Sequence, residues 1–318
     1  FLELPEITRN ETTEFTVKSL KGRRGKIVDI AKKYYDYMAK LAIVTDTDKD
    51  DFVEIERLDQ GKTRITVSRI KDGKKADLVS DKTYNKADTD EIWLYALDDD
   101  DVINVIGAED KNLIFVRVIG GQNNDIYNVD ENSGRKVKIY DYLSKPSTVQ
   151  SKGNAKIRFR DNYNQNTFDK DKKVFNSETL TPGFGYNPDD GFKIGLQNSF
   201  ITNGFKRNPF TAKHTFAAGY YFATNGFDLG YTGEFAYILG NFNLAVGAYF
   251  SSPNSANNFF GFGNETPNFD DELGFDYNRT RIGIIGAEFG FVRKTPFGSY
   301  FGYMANFEGI KVDDTAER

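Results

Sequence analysis

The hydrophobic positions in the C-terminal part of the chain alternate with polar or small ones. In residues 227–239 every second residue is Phe, Leu, Tyr or Gly, and residues 192–200 and 241–250 repeat the pattern. A period of two predicts β-strands with one apolar face. These segments are long enough to cross a bilayer as tilted strands, which takes roughly 9 to 11 residues, whereas strands of soluble domains are usually nearer 5 or 6.

The N-terminal part follows a different pattern. Apolar side chains spaced three and four apart predict an amphipathic helix whose stripe faces a core. The stripe consists of Ile27, Ile30, Ala31, Tyr34, Tyr37, Met38 and Leu41. Six or so short alternating runs follow, with turn-prone DQGK and KDGKK between them. We therefore expect a connector over residues 1–21, a helix-plus-β domain over 22–150 and a linker over 151–190.

Charge and aromatic residues are distributed unevenly. Residues 191–318 carry 22 of the 89 charged residues but 28 of the 46 Phe and Tyr residues. The sequence contains no run of about 18 apolar residues, so it predicts no transmembrane helix. Tight turns at ATNGF and ILGNF alternate with a long connection over 251–276, as in membrane barrels. The alternative is a soluble antiparallel sheet with one dry face.

The predicted fold class is mainly β, with a small α+β domain followed by the N-terminal antiparallel strands of a transmembrane β-barrel. The sequence indicates about six strands in residues 191–318, whereas bacterial barrels need at least about 8. In lipid every strand edge must also be paired. We therefore expect the remaining strands outside this chain.

Several kinds of chemistry are excluded by residue type. The chain has no cysteine, so it has no disulfide, thiol nucleophile or zinc-thiolate site. Its one histidine, His214, is too few for a dinuclear metallophosphatase centre. The net charge of −5 and the absence of a basic stripe argue against nucleic acid as a partner. We identify no catalytic residues, and whether the protein is an enzyme stays open.

Two acidic segments approximate the calcium β-roll repeat G-G-x-G-x-D-x-U-x. They are ALDDDDVINV at 96–105 and IGGQNNDIYN at 119–128, with Asp101 and Asp125 at the acidic position. In such repeats, aspartates and turn carbonyls surround a calcium ion. The alternative is a pair of turns whose Asn, Asp and Gly residues adopt left-handed conformations, with no cofactor.

Two further segments resemble the BamA/TamA-type outer-membrane assembly barrel, the bacterial surface antigen family. DDGFKIGLQNSF begins at Asp189 and NNFFGFGNETP spans 257–267. The residues that match the family's D-G-F-x-x-G strand are Asp190, Gly191, Phe192 and Gly195. Those that match its external F-x-G-x-G-N-E-T loop are Phe260, Gly261, Phe262, Gly263, Asn264, Glu265 and Thr266.

The resemblance implies a sixteen-stranded barrel in the outer membrane of a Gram-negative bacterium. Such barrels insert or translocate outer-membrane proteins without a chemical cofactor. The partners would be outer-membrane lipid, client proteins and other subunits of an assembly complex. Strand 191–201, with Gly191, Phe192, Ile194, Gly195 and Leu196, would be the lateral-gate edge that templates an incoming strand.

The upstream half resembles the connecting domain of Bacteroidota proteins that join a periplasmic calcineurin-like metallophosphoesterase to such a barrel. This resemblance rests on AKKYYDYMAKLAIVTDTDKDDFVEIERL, DTDEIWLYALDDDDVINVIG and VRVIGGQNND. It implies a periplasmic N-terminal part and an enzyme domain before Phe1. The alternative function is therefore a membrane anchor for that phosphoesterase. A third hypothesis is a calcium-binding surface or adhesion module.

Overall fold

The computed structural model describes residues 11–107, 111–188, 190–259, 262–263, 265, 267, 270–274, 277, 279–295 and 297–313. The chain divides into two units, Phe1–Phe168 (unit 1) and Asp169–Arg318 (unit 2). The described residues are mainly β, as the sequence predicts. No helix among them is long and apolar enough to cross a membrane.

Unit 1 begins with helix α1 (Glu11–Met38), which starts inside the range predicted to be a connector. Its apolar stripe does not meet a core: Ile27, Ile30 and Tyr34 are 60–64% exposed. No described strand packs closely along α1. The predicted helix is therefore present, but the predicted burial of its stripe is wrong, because no described element of unit 1 packs along it.

Two glycines of α1 offer a simple test of its helicity. A Cβ at Gly22 or Gly25 would have nothing within 4 Å. Alanine is favoured over glycine in a helix by about 0.8–1.0 kcal/mol per site. We expect Gly22→Ala and Gly25→Ala to raise the helical signal in far-ultraviolet circular dichroism. Gly185→Ala, in a strand of unit 2 where the added Cβ also has nothing within 4 Å and φ is not positive, is the control and should leave it unchanged. Equal signals in all three variants would contradict the assignment.

The strands of unit 1 form two mainly parallel sheets. They are β1 (Leu41–Thr45), β2 (Asp51–Leu58), β3 (Lys62–Lys71), β4 (Lys74–Asn85), β5 (Glu91–Tyr95), β6 (Val102–Gly107), β7 (Phe115–Ile119), β8 (Ile126–Val129), β9 (Val137–Asp141), β10 (Thr148–Ser151) and β11 (Lys156–Phe159), before the short helix α2 (Tyr163–Asn166). One sheet has the order β1-β5-β7-β9-β11, and the other β10-β8-β6-β2-β3-β4.

The chain winds as a coil between these sheets. Each turn of the coil places one strand in the first sheet and the next in the second, giving the pairs β1-β2, β5-β6, β7-β8 and β9-β10. The antiparallel strands β3 and β4 interrupt the coil after its first turn. Asp72 and Gly73 between them have φ of 52° and 70°, the type I′ geometry expected of the KDGKK turn.

The core of unit 1 lies between the two sheets. It is built from inward-facing aliphatic and aromatic side chains that are essentially inaccessible, including Val53, Ile55, Ile92, Leu94, Ile103, Val116, Tyr127 and Ile139. Alternation along each strand sends every second side chain inward. Stacking the coils makes this core continuous, because a single coil could not bury its own apolar face.

Unit 2 is one antiparallel sheet of seven described strands in sequence order. They are β12 (Ser177–Asn187), β13 (Gly191–Thr202), β14 (Ala212–Tyr221), β15 (Gly226–Leu239), β16 (Phe242–Asn258), β17 (Arg279–Lys294) and β18 (Tyr300–Asp313), with a short helix α3 (Asp270–Leu273) before β17. Asn225 and Gly240 have φ of 54° and 56° in the predicted tight turns.

The predicted boundaries need correction. The range expected to be a linker, 151–190, contains α2 and all of β12, and the division between units falls after Phe168. The sequence TPGFGYN in β12 suggests a loop because it contains Pro182 and two glycines. Proline is tolerated in an edge strand, where the missing N–H costs no ladder hydrogen bond. The segment around Pro182 was therefore predicted as a loop, although a proline is compatible with its position in an edge strand.

Candidate functional site

The turns that carry the chain from the first sheet of unit 1 to the second hold a column of three aspartates and one serine. Asp51, Asp101, Asp125 and Ser147 immediately precede residues that are paired side by side in β2, β6, β8 and β10. The Asp51 N–H donates to Asp101 Oδ1 at 2.7 Å, and the Asp101 N–H donates to Asp125 Oδ1 at 3.1 Å. The carboxylates of Asp101 and Asp125 therefore each accept a hydrogen bond from the preceding coil.

A second column faces the first across the same turns. Asp46, Ala96, Gly120 and Asp141 lie level with one another in β1, β5, β7 and β9 and the residues that follow them. Asp46 Oδ1 accepts the Leu97 N–H at 2.9 Å. Together the columns form an acidic turn cluster of Asp46, Asp51, Asp101, Asp125 and Asp141, all at most 6% exposed.

Part of this cluster is compensated by hydrogen bonds. Asp51 Oδ1 lies 3.0 Å from Arg69 Nη1, and its Oδ2 accepts the Thr47 N–H and hydroxyl at 2.8 and 2.6 Å. The Tyr127 hydroxyl lies 2.9 Å from Asp141 Oδ2 and 3.2 Å from Asp125 Oδ2. By contrast, Asp46 Oδ2 and Asp101 Oδ2 are buried without a hydrogen-bond partner among the described residues.

Burial governs the electrostatics of the cluster. It raises the pKa of Asp46 to about 8 and the pKa of Asp101 to about 10, with neighbouring carboxylates adding to the rise. Burial, with the charge of Asp141, raises the pKa of Asp125 to about 8. These rises mean that the carboxylates cannot all ionise together unless positive charge is supplied.

Glycine at position 120 is required by the packing of the cluster. A Cβ there would lie 2.0 Å from the Tyr127 hydroxyl oxygen, 2.3 Å from Asp125 Oδ2 and 2.8 Å from Asp141 Oδ2. The second glycine of the GGQNND turn, Gly121, has φ +100°. The turn therefore needs its first glycine for space and its second for backbone conformation.

The structure brings the two predicted calcium residues together, but only Asp101 keeps a buried carboxylate oxygen without a hydrogen-bond partner. Asp101 and Asp125 lie in successive coils and are joined by a hydrogen bond. Both oxygens of Asp125 are occupied, by the Asp101 N–H and the Tyr127 hydroxyl. The buried carboxylate oxygens without a partner among the described residues are instead Asp46 Oδ2 and Asp101 Oδ2. The residues that could hold a cation are Asp46, Asp51 and Asp101, since one carboxylate oxygen of each lies within 4.8 Å of the others.

Sequence reasoning missed Asp46 and Asp51, although a signal was present. An acidic residue followed by an alternating apolar run recurs as DDFVEI, DDVINV and NDIYNV. The ladder residues of the last coils are 24 and 22 residues apart, but Asp51 and Asp101 are 50 apart. The hairpin of β3 and β4 lies between those two and hides the repeat.

In unit 2, one face of the sheet is apolar and exposed. Its side chains include Phe184, Phe192, Ile194, Leu196, Phe216, Leu229, Ile285, Phe289 and Phe307, which are 44–71% exposed. Across the middle of this face runs an open groove of about 760 Å³, lined by Leu196, Phe216, Leu229, Phe250, Ile285 and Phe307 among others. We call this surface the apolar face.

The opposite face carries polar side chains that pair across strands. Lys193 Nζ lies 2.8 Å from Asp228 Oδ2 and from the Tyr221 hydroxyl. Lys294 Nζ lies 3.0 Å from Glu234 Oε2, and Asn243 donates to Glu234 Oε1 at 2.8 Å. The segregation of the two faces is what the period-two pattern predicts.

The predicted gate residues do not lie at an edge. Gly191, Phe192, Ile194, Gly195 and Leu196 all lie in β13, which is hydrogen-bonded to β12 on one side and to β14 on the other. Because β12 precedes it, the N-terminal edge of the seven described strands lies one strand earlier than expected, at Ser177–Asn187. The sequence misplaced the edge because it did not detect β12.

The predicted external loop is described only in part. Gly263 has φ +95°, and Glu265 is exposed. Phe262 is 97% exposed, and its ring meets that of Phe259 edge to face at 5.4 Å. The other motif positions, Phe260, Gly261, Asn264 and Thr266, lie outside the described residues.

The one histidine of the chain, His214, lies in β14. Its Nδ1 is 3.0 Å from the Tyr231 hydroxyl, and its ring lies within a group of aromatic rings.

Comparison with known protein families, with curated proteins and with solved structures gives no match to this chain. The resemblance to assembly-type barrels and to phosphoesterase-linked connecting domains therefore stays a prediction.

Proposed function

We propose that unit 2 forms part of the wall of an outer-membrane β-barrel, and that the protein takes part in inserting or translocating outer-membrane proteins. The observation that carries the proposal is the apolar face, which spans long antiparallel strands and lies opposite a polar face with cross-strand ion pairs. In a membrane barrel, lipid covers the first face and water or the lumen the second.

Strand length supports the membrane setting. The described strands of unit 2 are 10–17 residues long. Strands of soluble proteins are usually about 5–6 residues, and soluble monomers rarely expose a continuous apolar patch of more than a few hundred Å². Lipid removes the penalty for exposing Phe184, Leu196 and Phe289, because the hydrocarbon is as apolar as the side chains themselves.

The free edge of β12 is the proposed place where a client strand pairs. An unpaired edge presents a row of N–H and C=O groups that can template another strand. Proline in a strand lies where its missing N–H would point away from the neighbouring strand. Residues two apart point the same way in a strand, so we infer that the Phe184 N–H, like position 182, faces the open edge.

A pair of substitutions at Phe184 tests this edge in the full chain within the cell. Phe184→Pro removes an outward N–H while leaving the hydrogen bonds to β13 in place, and Phe184→Ala removes the side chain but keeps the N–H. We expect the proline variant to slow the appearance of folded client proteins in the outer membrane, with the alanine variant close to the parent. Equal client folding in both variants would contradict a template role for the edge.

A photo-crosslinking side chain gives an independent measurement. At Phe184, on the edge strand, it should capture partly folded outer-membrane proteins, whereas at Phe216, on β14 between two partners, it should capture lipid alone. Capture of lipid alone at both positions would contradict insertase activity. That result would favour the alternative, a barrel that only anchors a phosphoesterase.

A further inference from the structure

We propose that unit 1 binds one calcium ion through the carboxylates of Asp46, Asp51 and Asp101. This inference does not depend on the function proposed for unit 2. One oxygen from each carboxylate lies within 4.8 Å of the others. Two oxygens on opposite sides of a calcium ion are separated by about 4.6–5.2 Å, twice a bond of 2.3–2.6 Å. The three carboxylates are thus close enough to share one ion.

The unpartnered oxygens point to a ligand independently of the clustering. Asp101 is 1% exposed and Asp46 is 6% exposed, and Oδ2 of each has no hydrogen-bond partner among the described residues. A buried ionised oxygen without a partner is costly, and such groups pair with a charge or coordinate a metal. In the same turns, the oxygens of Asp125 are both engaged. Within the described part of these turns, the buried carboxylate oxygens without a hydrogen-bond partner belong to Asp46 and Asp101, two of the three proposed ligands.

The charge of the site matches a divalent cation. Three carboxylates and the Arg69 guanidinium, which pairs with Asp51, leave two negative charges. The Thr47 hydroxyl and N–H hold the other oxygen of Asp51 in position. One divalent cation would neutralise the two remaining negative charges and leave the site without net charge.

The donor set favours calcium over other ions. All three residues offer hard carboxylate oxygens, and the chain has no cysteine that would suit a softer metal. Magnesium requires near-ideal octahedral geometry with bonds of about 2.0–2.1 Å, whereas calcium accepts irregular arrangements of six to eight oxygens. A cluster fixed by the stacking of coils suits the more tolerant ion.

The ion would fasten the first coil to the second. Asp46 and Asp51 flank the turn between β1 and β2, and Asp101 belongs to the turn between β5 and β6. The chain between Asp51 and Asp101 makes the β3-β4 hairpin excursion before it returns. Calcium would therefore join two coils that are adjacent in space but distant in sequence.

Calorimetry on the full chain tests the proposal. Protein in detergent is stripped with a chelator, dialysed and titrated with calcium chloride, and its thermal unfolding is followed with and without the ion. We expect one ion bound per chain and a rise of several degrees in Tm. Asp46→Asn and Asp101→Asn should abolish both effects. Asp99→Asn, in an exposed position of the same acidic run, is the control and should keep them.

The calcium-free variants provide a readout that misfolding would not mimic. Asparagine keeps the shape of the Asp101 side chain and the oxygen that accepts the Asp51 N–H, so without calcium Asp101→Asn should unfold at a temperature close to that of the parent chain. Absence of calcium binding by the parent would overturn the proposal, as would binding that persists in both variants. Magnesium chloride giving the same Tm rise at equal concentration would overturn the choice of calcium.

Discussion

Replacing Leu196 by arginine is expected to destabilise the membrane-inserted protein by about 2–4 kcal/mol, the cost of a charged side chain on the lipid face near the bilayer midplane. Leu196 lies on the apolar face, near the middle of β13 and between Pro182 and Ala218 of the neighbouring strands. The measurement is the fraction of folded protein in lipid vesicles as a function of urea concentration.

The adjacent residue supplies the control. Gln197 lies in the same strand but on the polar face, and it is also exposed. Gln197→Arg should change stability by no more than about 0.5 kcal/mol, as is usual for a surface substitution away from special features. If the two arginine variants had equal stability, water would cover both faces, and the soluble-sheet alternative would be favoured.

Gly120→Ala is expected to destabilise unit 1 by roughly 1–3 kcal/mol or more, because the added methyl group overpacks a buried site. The new Cβ would lie 2.0 Å from the Tyr127 oxygen, and Tyr127 is fully buried between the sheets. Displacing the hydroxyl would also break its hydrogen bonds to Asp125 and Asp141. The loss of both packing and hydrogen bonds explains the size of the effect.

The chain's one tryptophan makes this effect measurable. Trp93 lies in β5 and is 4% exposed, so its fluorescence reports the unfolding of unit 1 in denaturant. The double variant Gly120→Ala/Tyr127→Phe should lose less stability than the sum of the two single variants, since the oxygen nearest the new methyl group is then absent. A Gly120→Ala midpoint equal to that of the parent would contradict the tight packing of this turn.

Local patterns predicted the strands more reliably than their partners. The segment DFVEIERL was predicted as a strand and forms β2 over the same residues. Its neighbours, however, are β3 on one side and β6 on the other, and the pair of Phe52 in β2 is Val102 in β6, fifty residues further along the chain. Alternation along one segment determines which side chains share a face, but it holds no information about parallel pairing to a distant segment.

The two candidate sites differ in how far the sequence could reveal them. The apolar face of unit 2 follows from period-two alternation, so its members in β13, β15 and β16, such as Phe192, Leu229 and Phe250, were predicted to share a face. Phe184 was not predicted, because it lies in the range expected to be a linker. Asp101 and Asp125 were found because their turns resemble a known repeat. Asp46 and Asp51 were not, because only the coil brings them beside Asp101.

The sequence alone thus determined the mainly β composition, the helix, the two-faced strands and several tight turns, because these depend on the order of neighbouring residues. The tertiary structure alone decided that the helix stripe is exposed, that β12 is the edge and that the acidic turns stack. These features depend on contacts between distant segments, whose register is set when stacked strands bury a common core.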